Sequence, residues 1–406
     1  MKDLLKYELY PYQRTGAEFA LSRPRSIIAD DMGLGKTRQS LAVVDIENLR
    51  TLIVCPASLK DNWKEEIKIF CPGLDYYIES YSSLHKLKHF DFEAIIGDES
   101  HYLKDPKARR TQTFISIVEK CNPKKLIMLS GTPIKNRVPE LFVPLALAMQ
   151  PNKLGYNYWD FCRHFSNEEV KYRNGYEYKT YSGIKNEIEL VELLRPYMIR
   201  RSADKVLDLP EIVEINVSTD ENPPPDYKQV VEKFIMDNNK TPEFMMAKRL
   251  VSEAKIDFTV NYVSVVLNNT DQVIVFSDHI NTINKINKIL SKEIKSGCIT
   301  GETDVATRDK IIKDFKDKKI KVLCSTIGVG STGHNLQNCS HVVFNDFPFV
   351  PSDLMQAKKR IHRIGQKNKC FYHYVISNDI DRTVLKILQS KTKVIDRVMD
   401  GVERTN

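Results

Sequence analysis

The stretch that most restricts what this chain can fold into is residues 26–37, SIIADDMGLGKT. Ser26, Ile27, Ile28 and Ala29 predict a short buried strand. A glycine turn containing Asp31, Gly33 and Gly35 follows and ends in Gly35-Lys36-Thr37. Beyond it, apolar Leu41, Val44 and Ile46 set among polar residues predict a helix. Strand, glycine loop and helix in that order make a phosphate cradle. Loop N–H groups and the positive end of the helix point at an anion, and glycine lets the backbone come close. Lys36 then reaches the terminal phosphates of ATP, and the Thr37 hydroxyl ligates Mg2+. Asp30 stands where the eight-residue phosphate-loop pattern has a glycine.

The totals narrow the class. A chain of 406 residues with 42% hydrophobic content can bury two or three domain-sized cores. Charged residues at 28% argue against wholesale disorder. A net charge of +8 permits a nucleic-acid partner without requiring one. The eight cysteines form no CxxC pair and read as reduced core thiols, and the nine histidines lack zinc spacing. No apolar run reaches membrane-spanning length, and MKDLLKYELY has no signal-peptide core. The expectation is a soluble, non-secreted protein of the cytoplasm or of whatever compartment holds its partner.

Along the chain, Gln13 precedes the phosphate loop, where its paired donor and acceptor can read an adenine edge. Strand-like runs at 51–55, 93–97 and 125–129 alternate with helical segments. That pattern predicts an α/β fold with parallel sheets and helices on both faces, and ligand chemistry at the carboxyl ends of the strands. After the second run comes Gly97-Asp98-Glu99-Ser100-His101. There Asp98 is placed to hold Mg2+ and Glu99 to orient and deprotonate the attacking water. Ser130 and Thr132, in SGTP, are candidates to sense the γ-phosphate. Residues 150–196 form an aromatic-rich insertion in which VKYRNGYEYKTY predicts a hairpin turning at Asn174-Gly175. Its aromatics read as a satellite core in preference to a stacking wedge.

The second half repeats the alternation, with strand-like runs at 272–276, 320–324, 341–345 and 371–376, but it has no second GKT. One ATP would then sit between two lobes. Arg360 and Arg363, if helical, lie three apart on one face and can present two guanidinium forks to the phosphates. The expected division is lobe 1 at 1–200, linker and crossing helices at 201–255, lobe 2 at 256–380 and a brace helix at 381–406.

Taken together, DDMGLGKT, LIVCPASLKDNW, GDESHYLKD, LSGTPIKNR, YMIRRSADKVLDLP, VIVFSDH, ITGETDVATRDKIIKDF and QAKKRIHRIGQ resemble the motifs of the Swi/Snf-type DNA-dependent ATPases of helicase superfamily two. The resemblance runs from Gln13 to about Gln366 and is strongest to the compact HARP-type annealing-helicase branch. It implies two RecA-like lobes, with Lys36, Thr37, Asp98 and Glu99 in the nucleotide roles above, Gln356 beside the nucleotide, and Arg360 and Arg363 as fingers. It also implies DNA near Ser58, Lys60 and Trp63, near Ser277 and His279, and near Ser325, Thr326 and Asn335. The chain departs from the family pattern at Ser331 and His334. The function so implied is a monomeric, ATP-driven translocase on duplex DNA without sequence preference. A strand-separating DNA or RNA helicase and a DNA-binding clamp with a vestigial ATPase are the alternatives.

Overall fold

Continuous apolar runs, as opposed to alternating ones, are what a parallel sheet covered on both faces demands. The computed structural model contains two such sheets. It describes residues 4, 7–149, 153–173, 176–220, 242–330, 335–377 and 379–403. The chain divides into two units, Met1–Leu207 with Lys391–Asn406, and Asp208–Ser390.

In the first unit the strands are β1 (Arg25–Ile28), β2 (Thr51–Cys55), β3 (Tyr76–Ser80), β4 (Ala94–Gly97), β5 (Lys125–Leu129), the pair β6 (Asn167–Arg173) and β7 (Tyr176–Ser182), and β8 (Met198–Ile199). Six of them form one sheet in the order β3-β2-β4-β5-β1-β8, every neighbour parallel. Successive residues serve opposite faces. Ile27, Leu52, Ile95 and Met128 enter one core, with Phe114 and Ile117 of the helix Arg109–Cys121. Ile28, Ile53, Ile96 and Ile127 enter the other, with Leu41 and Val44 of the helix Lys36–Ile46 and Ile67 of the helix Lys60–Phe70. The antiparallel β6–β7 ribbon stands apart as its own two-stranded sheet. The expected turn at Asn174-Gly175 lies outside the described residues.

The second unit holds β9 (Ile212–Ser218), β10 (Val273–Ser277), β11 (Ser296–Ile299), β12 (Val322–Thr326), β13 (His341–Phe344) and β14 (Cys370–Ile376). They are parallel in the order β11-β12-β10-β13-β14-β9. Ile274, Leu323 and Phe344 line one face, and Val275, Cys324 and Val343 the other. β9 falls in the stretch read from sequence as linker. It pairs with β14 over seven residues, which carries the second unit back to Asp208.

The final helix, Asp379–Val402, carries its apolar residues at helical spacing. Ile380, Val384 and Leu388 belong to a core of the second unit. Ile395, Val398, Met399 and Val402 belong to a core of the first.

The segment around Arg360 and Arg363 is not helical. The helix Pro351–Lys358 ends at Lys359, and residues 359–365 form turns up to Gly365 at φ +94°. Gln366 explains the stop. Its side-chain amide donates to the carbonyls of Cys339 (2.8 Å) and Ile361 (3.2 Å), while its carbonyl accepts from the N–H groups of Lys367 and Asn368. The loop is folded onto that one amide, and the shared helical face expected for the two arginines is absent.

Candidate nucleotide site

In the first unit, β4, β5, β1 and β8 are consecutive in the sheet, and each ends in a polar segment. β1 runs into residues 29–35, β4 into Asp98-Glu99, β5 into Ser130-Gly131-Thr132 and β8 into Arg200-Arg201. Sequence reasoning foresaw the first three.

The loop after β1 is shaped by two left-handed glycines, Gly33 (φ +84°) and Gly35 (φ +72°). Gly35 caps the helix in which Lys36 and Thr37 are the first two residues, so the helix's unfilled N–H groups open onto the loop. Lys36 Nζ donates to the carbonyls of Asp30 (2.8 Å) and Asp31 (3.1 Å). Burial pushes its pKa down, while Glu99, Asp30, Asp98 and Asp31 pull it back up. Gly131, from the β5 loop, gives this ammonium its space, since a Cβ there would lie 3.3 Å from Nζ and 2.7 Å from Met32 Cγ. Gln13 sits in the first turn of the helix Pro11–Leu21 and closes over the loop. Its Nε2 donates to Leu34 O at 3.1 Å and its Oε1 accepts from Tyr10 N at 3.0 Å.

Asp98 is buried, and both of its oxygens are engaged. Oδ1 accepts from Glu99 N at 2.9 Å and Oδ2 from Trp63 Nε1 at 2.8 Å. Burial first, then the neighbouring Glu99 charge, raise its pKa to about 6, against the opposing pull of Trp63 and Lys36. Glu99 has φ +51°, uncommon for a residue with a Cβ, and such strain gathers at functional positions. Its carboxylate lies 3.1 Å from His101 Nδ1. The same ring nitrogen is 3.3 Å from Ser130 Oγ, which accepts from Thr132 N at 3.2 Å. The acidic pair is thereby joined to the SGTP loop through one imidazole.

The residues fit a magnesium nucleotide. Mg2+ is held by one or two carboxylates, a hydroxyl, phosphate oxygens and water, and the Asp98 carboxylate and the Thr37 hydroxyl are donors of those kinds. Among the described residues no group of three or more His, Cys, Asp or Glu forms a separate metal cage.

Other expected site residues are placed differently. Trp63, expected beside DNA, is only 1% exposed and spends its indole N–H on Asp98. Ser58 is exposed, and Lys60 pairs with Glu79 at 2.5 Å. In the second unit Ser277 is buried and donates to Asp346 Oδ2 at 2.6 Å. That carboxylate also takes Ser252 Oγ (2.5 Å), Asn345 Nδ2 (3.0 Å) and Asp278 N (2.7 Å). Ser325 and Thr326 are buried at the end of β12, whereas Asn335 is exposed and His279 half-buried. Gln356 and Arg360 are buried, and Arg363 is half-buried with its pKa lowered by desolvation. Ser331 and His334 lie outside the described residues.

Asp31, a residue of the loop expected to cradle the nucleotide, accepts on its carboxylate from Arg200 Nη2 (2.8 Å) and Ala203 N (3.1 Å). The roles of Asp30, Arg200 and Arg201 were missed. The only sequence signal for them was an aspartate in a glycine's position and two adjacent arginines far along the chain.

A parallel sheet with a glycine loop running into a helix and an acidic pair on a neighbouring strand defines the class of P-loop nucleoside triphosphatases. Residues 12–79 and 71–223 match the SNF2-related domain, and residues 254–365 the helicase conserved C-terminal domain. The chain belongs to the SNF2-related family, the DNA-dependent ATPases of helicase superfamily two. It is similar to the mouse "DNA annealing helicase and endonuclease ZRANB3", at 28% identity over 99% of this chain and 42% of that protein. It is also similar to a Caenorhabditis elegans homolog of "SWI/SNF-related matrix-associated actin-dependent regulator of chromatin subfamily A-like protein 1", at 30% identity over 98% of this chain and 63% of that protein. The chain thus spans less than two thirds of either relative. Among solved structures, the "Sulfolobus solfataricus SWI2/SNF2 ATPase core in complex with dsDNA" superposes with a TM-score of 0.45 at 25% identity, covering 96% of this chain and 92% of that one. No helix among the described residues is long and apolar enough to cross a membrane.

Proposed function

We propose that this protein is an ATP-driven translocase on double-stranded DNA. The observation that carries the reading is the buried Lys36 ammonium at the mouth of a glycine loop, held by the carbonyls of Asp30 and Asp31 within the electrostatic reach of Glu99 and Asp98. That set is needed to hydrolyse a nucleotide, and a clamp that only bound DNA would not need it. In this reading Lys36 binds the terminal phosphates, Thr37 and Asp98 hold Mg2+, and Glu99 orients the attacking water and takes its proton. Gln13, Asp31, Gly33, Gly35 and Gln356 contact the nucleotide, and Arg360 and Arg363 act on the transferring phosphate. Ser58, Lys60, His279 and Asn335 remain the proposed DNA contacts. Trp63, Ser277, Ser325 and Thr326, expected in the same role, are buried. Contacts of this kind to the backbone fix position without reading sequence. The mouse relative's name supports DNA as the partner and the worm relative's names chromatin, and strand annealing, named for the mouse relative, is one outcome of such a motor.

A second reading, strand separation, is favoured by the β6–β7 ribbon. Tyr172 and Tyr176 are 66% and 80% exposed, and their registers put them on opposite faces of the two strands. The buried aromatics of the insertion are Phe161, Phe165 and Tyr181. The satellite core therefore accounts for these three and leaves the ribbon's outer tyrosines uncovered.

The test is ATP hydrolysis with duplex DNA, single-stranded DNA, RNA or no nucleic acid, using Lys36→Ala as control. Stimulation by duplex alone, abolished in the variant, is the expected result. Preference for single strands moves the function to unwinding. Hydrolysis that survives Lys36→Ala overturns the site.

A further inference from the structure

The two aspartates ahead of the glycine turn face two ways. Their carbonyls hold the Lys36 ammonium, and their carboxylates meet two successive arginines that follow β8. Arg200 Nη1 donates to Ala29 O and its Nη2 to Asp31 Oδ1, both at 2.8 Å. Arg201 Nε donates to Asp30 Oδ1 at 2.9 Å, and its Nη2 takes the other oxygen. Asp30 is 0% and Arg201 3% exposed. A charge pair so removed from water is tolerable only when its geometry is bidentate and the remaining polar sites are filled. Gln39 fills them, donating to Asp30 Oδ2 at 2.9 Å and accepting from Arg201 Nη2 at 3.0 Å. Asp30 in the place of a loop glycine is therefore one half of a built anchor.

The arginines are themselves held. Glu403 Oε1 accepts from Ser202 N at 2.7 Å and from Ser202 Oγ at 2.5 Å, and its Oε2 accepts from Lys205 Nζ at 2.6 Å. Asp31 Oδ2 takes Ala203 N at 3.1 Å. Residues 200–203 are thus gripped on one side by the phosphate loop and on the other by the residue that follows the final helix. That helix end is itself seated tightly, for a Cβ on Gly401 would lie 2.7 Å from Val191 Cγ2.

We propose that Arg200, Arg201 and Glu403 are positioning residues for the nucleotide: Glu403 fixes residues 200–203, and these fix the carbonyls that aim Lys36. The proposal rests on the reading of Lys36 as the phosphate ligand. It assigns the C-terminal residues a hold on nucleotide affinity in addition to a part in the core.

The experiment compares Glu403→Gln, Ser202→Ala and the double variant in the full chain, with KM for ATP, kcat and melting temperature measured for each. Each single change is expected to raise KM about three- to ten-fold, the net worth of one hydrogen bond, with kcat unchanged. The double variant should be no worse than the poorer single, because both remove one linkage. A lower melting temperature with KM unmoved overturns the proposal and leaves Glu403 a structural staple. KM effects that multiply in the double variant overturn it too. Lys36→Ala separates the two claims. If that variant is inactive while Glu403→Gln keeps its KM, the positioning role alone fails. If Lys36→Ala hydrolyses ATP normally, the phosphate-loop reading beneath it fails.

Discussion

His341 and His373 stack ring on ring across β13 and β14, with centroids 5.4 Å apart and their nearest nitrogens at 3.2 Å. Tyr262 closes the group at 2.9 Å from His373 Nδ1. Burial, with a smaller push from His341, lowers the His373 pKa to about 4. An unfolded histidine titrates near 6.5, so as pH falls the unfolded chain takes up the proton first. Stability from this group is full above pH 6.5 and falls as pH drops toward 4, by about 3 kcal/mol if the whole shift is expressed. Asp346 works in a lower window. Burial alone would raise its pKa, but Lys248, His279, Lys255 and Ser252 outweigh it and hold the carboxyl at about 2. Its contribution is lost only as pH falls from the ordinary aspartate value of 3.8 through 2. Urea unfolding of the second unit at pH 7, 5.5 and 4.5 should show the histidine slope, and His373→Phe should flatten it.

At the scale of elements, the helix Pro11–Leu21 meets the anchor of the phosphate loop through Gly16, where a Cβ would overlap both Gln39 Oε1 and Arg201 Nη2. Gly16→Ala has good helix propensity and would ordinarily stabilise a helix interior. Here it should instead destabilise the first unit by about 1–3 kcal/mol, as overpacking does, read as a fall in melting temperature. The same contrast between local signal and long-range contact marks what the sequence could show. β2 and β5 were legible because a strand buried on both faces is apolar without interruption. β9 was missed although Val213, Ile215 and Val217 alternate with exposed Glu214 and Asn216, because a one-sided edge strand beside a proline-rich stretch reads as loop. β11, with Gly297 and Cys298, offers too few apolar residues to register. The nucleotide loop and acidic pair were plain because their chemistry is contiguous. Trp63 on Asp98 and Arg201 on Asp30 join residues 35 and 171 positions apart, and nothing local in a single sequence encodes such partners. The turn at residues 359–365 was misread because its stop signal is the side chain of Gln366.

Over the whole molecule, the last stretch of the chain completes the first unit. Val398 is fully buried in the core that also holds Leu190, Val191 and Leu194, and Lys391 Nζ donates to Asn136 Oδ1 at 2.7 Å. Val398→Asp should destabilise that unit by about 3 kcal/mol or more, since it buries a charge without a partner. Hydrogen exchange is the measurement, with protection in β1, β2, β4 and β5 falling while β10 and β12 keep theirs. The arrangement also sets an order of events at the ribosome. Residues 391–403 emerge only after all of Asp208–Ser390 has been made, a delay of about 10–40 s at ~5–20 residues per second. Through that interval the nascent first unit lacks Ile395, Val398, Met399 and Val402 from its core and the Glu403 hold on Ser202, so a chain stalled before residue 391 should be a substrate for chaperones.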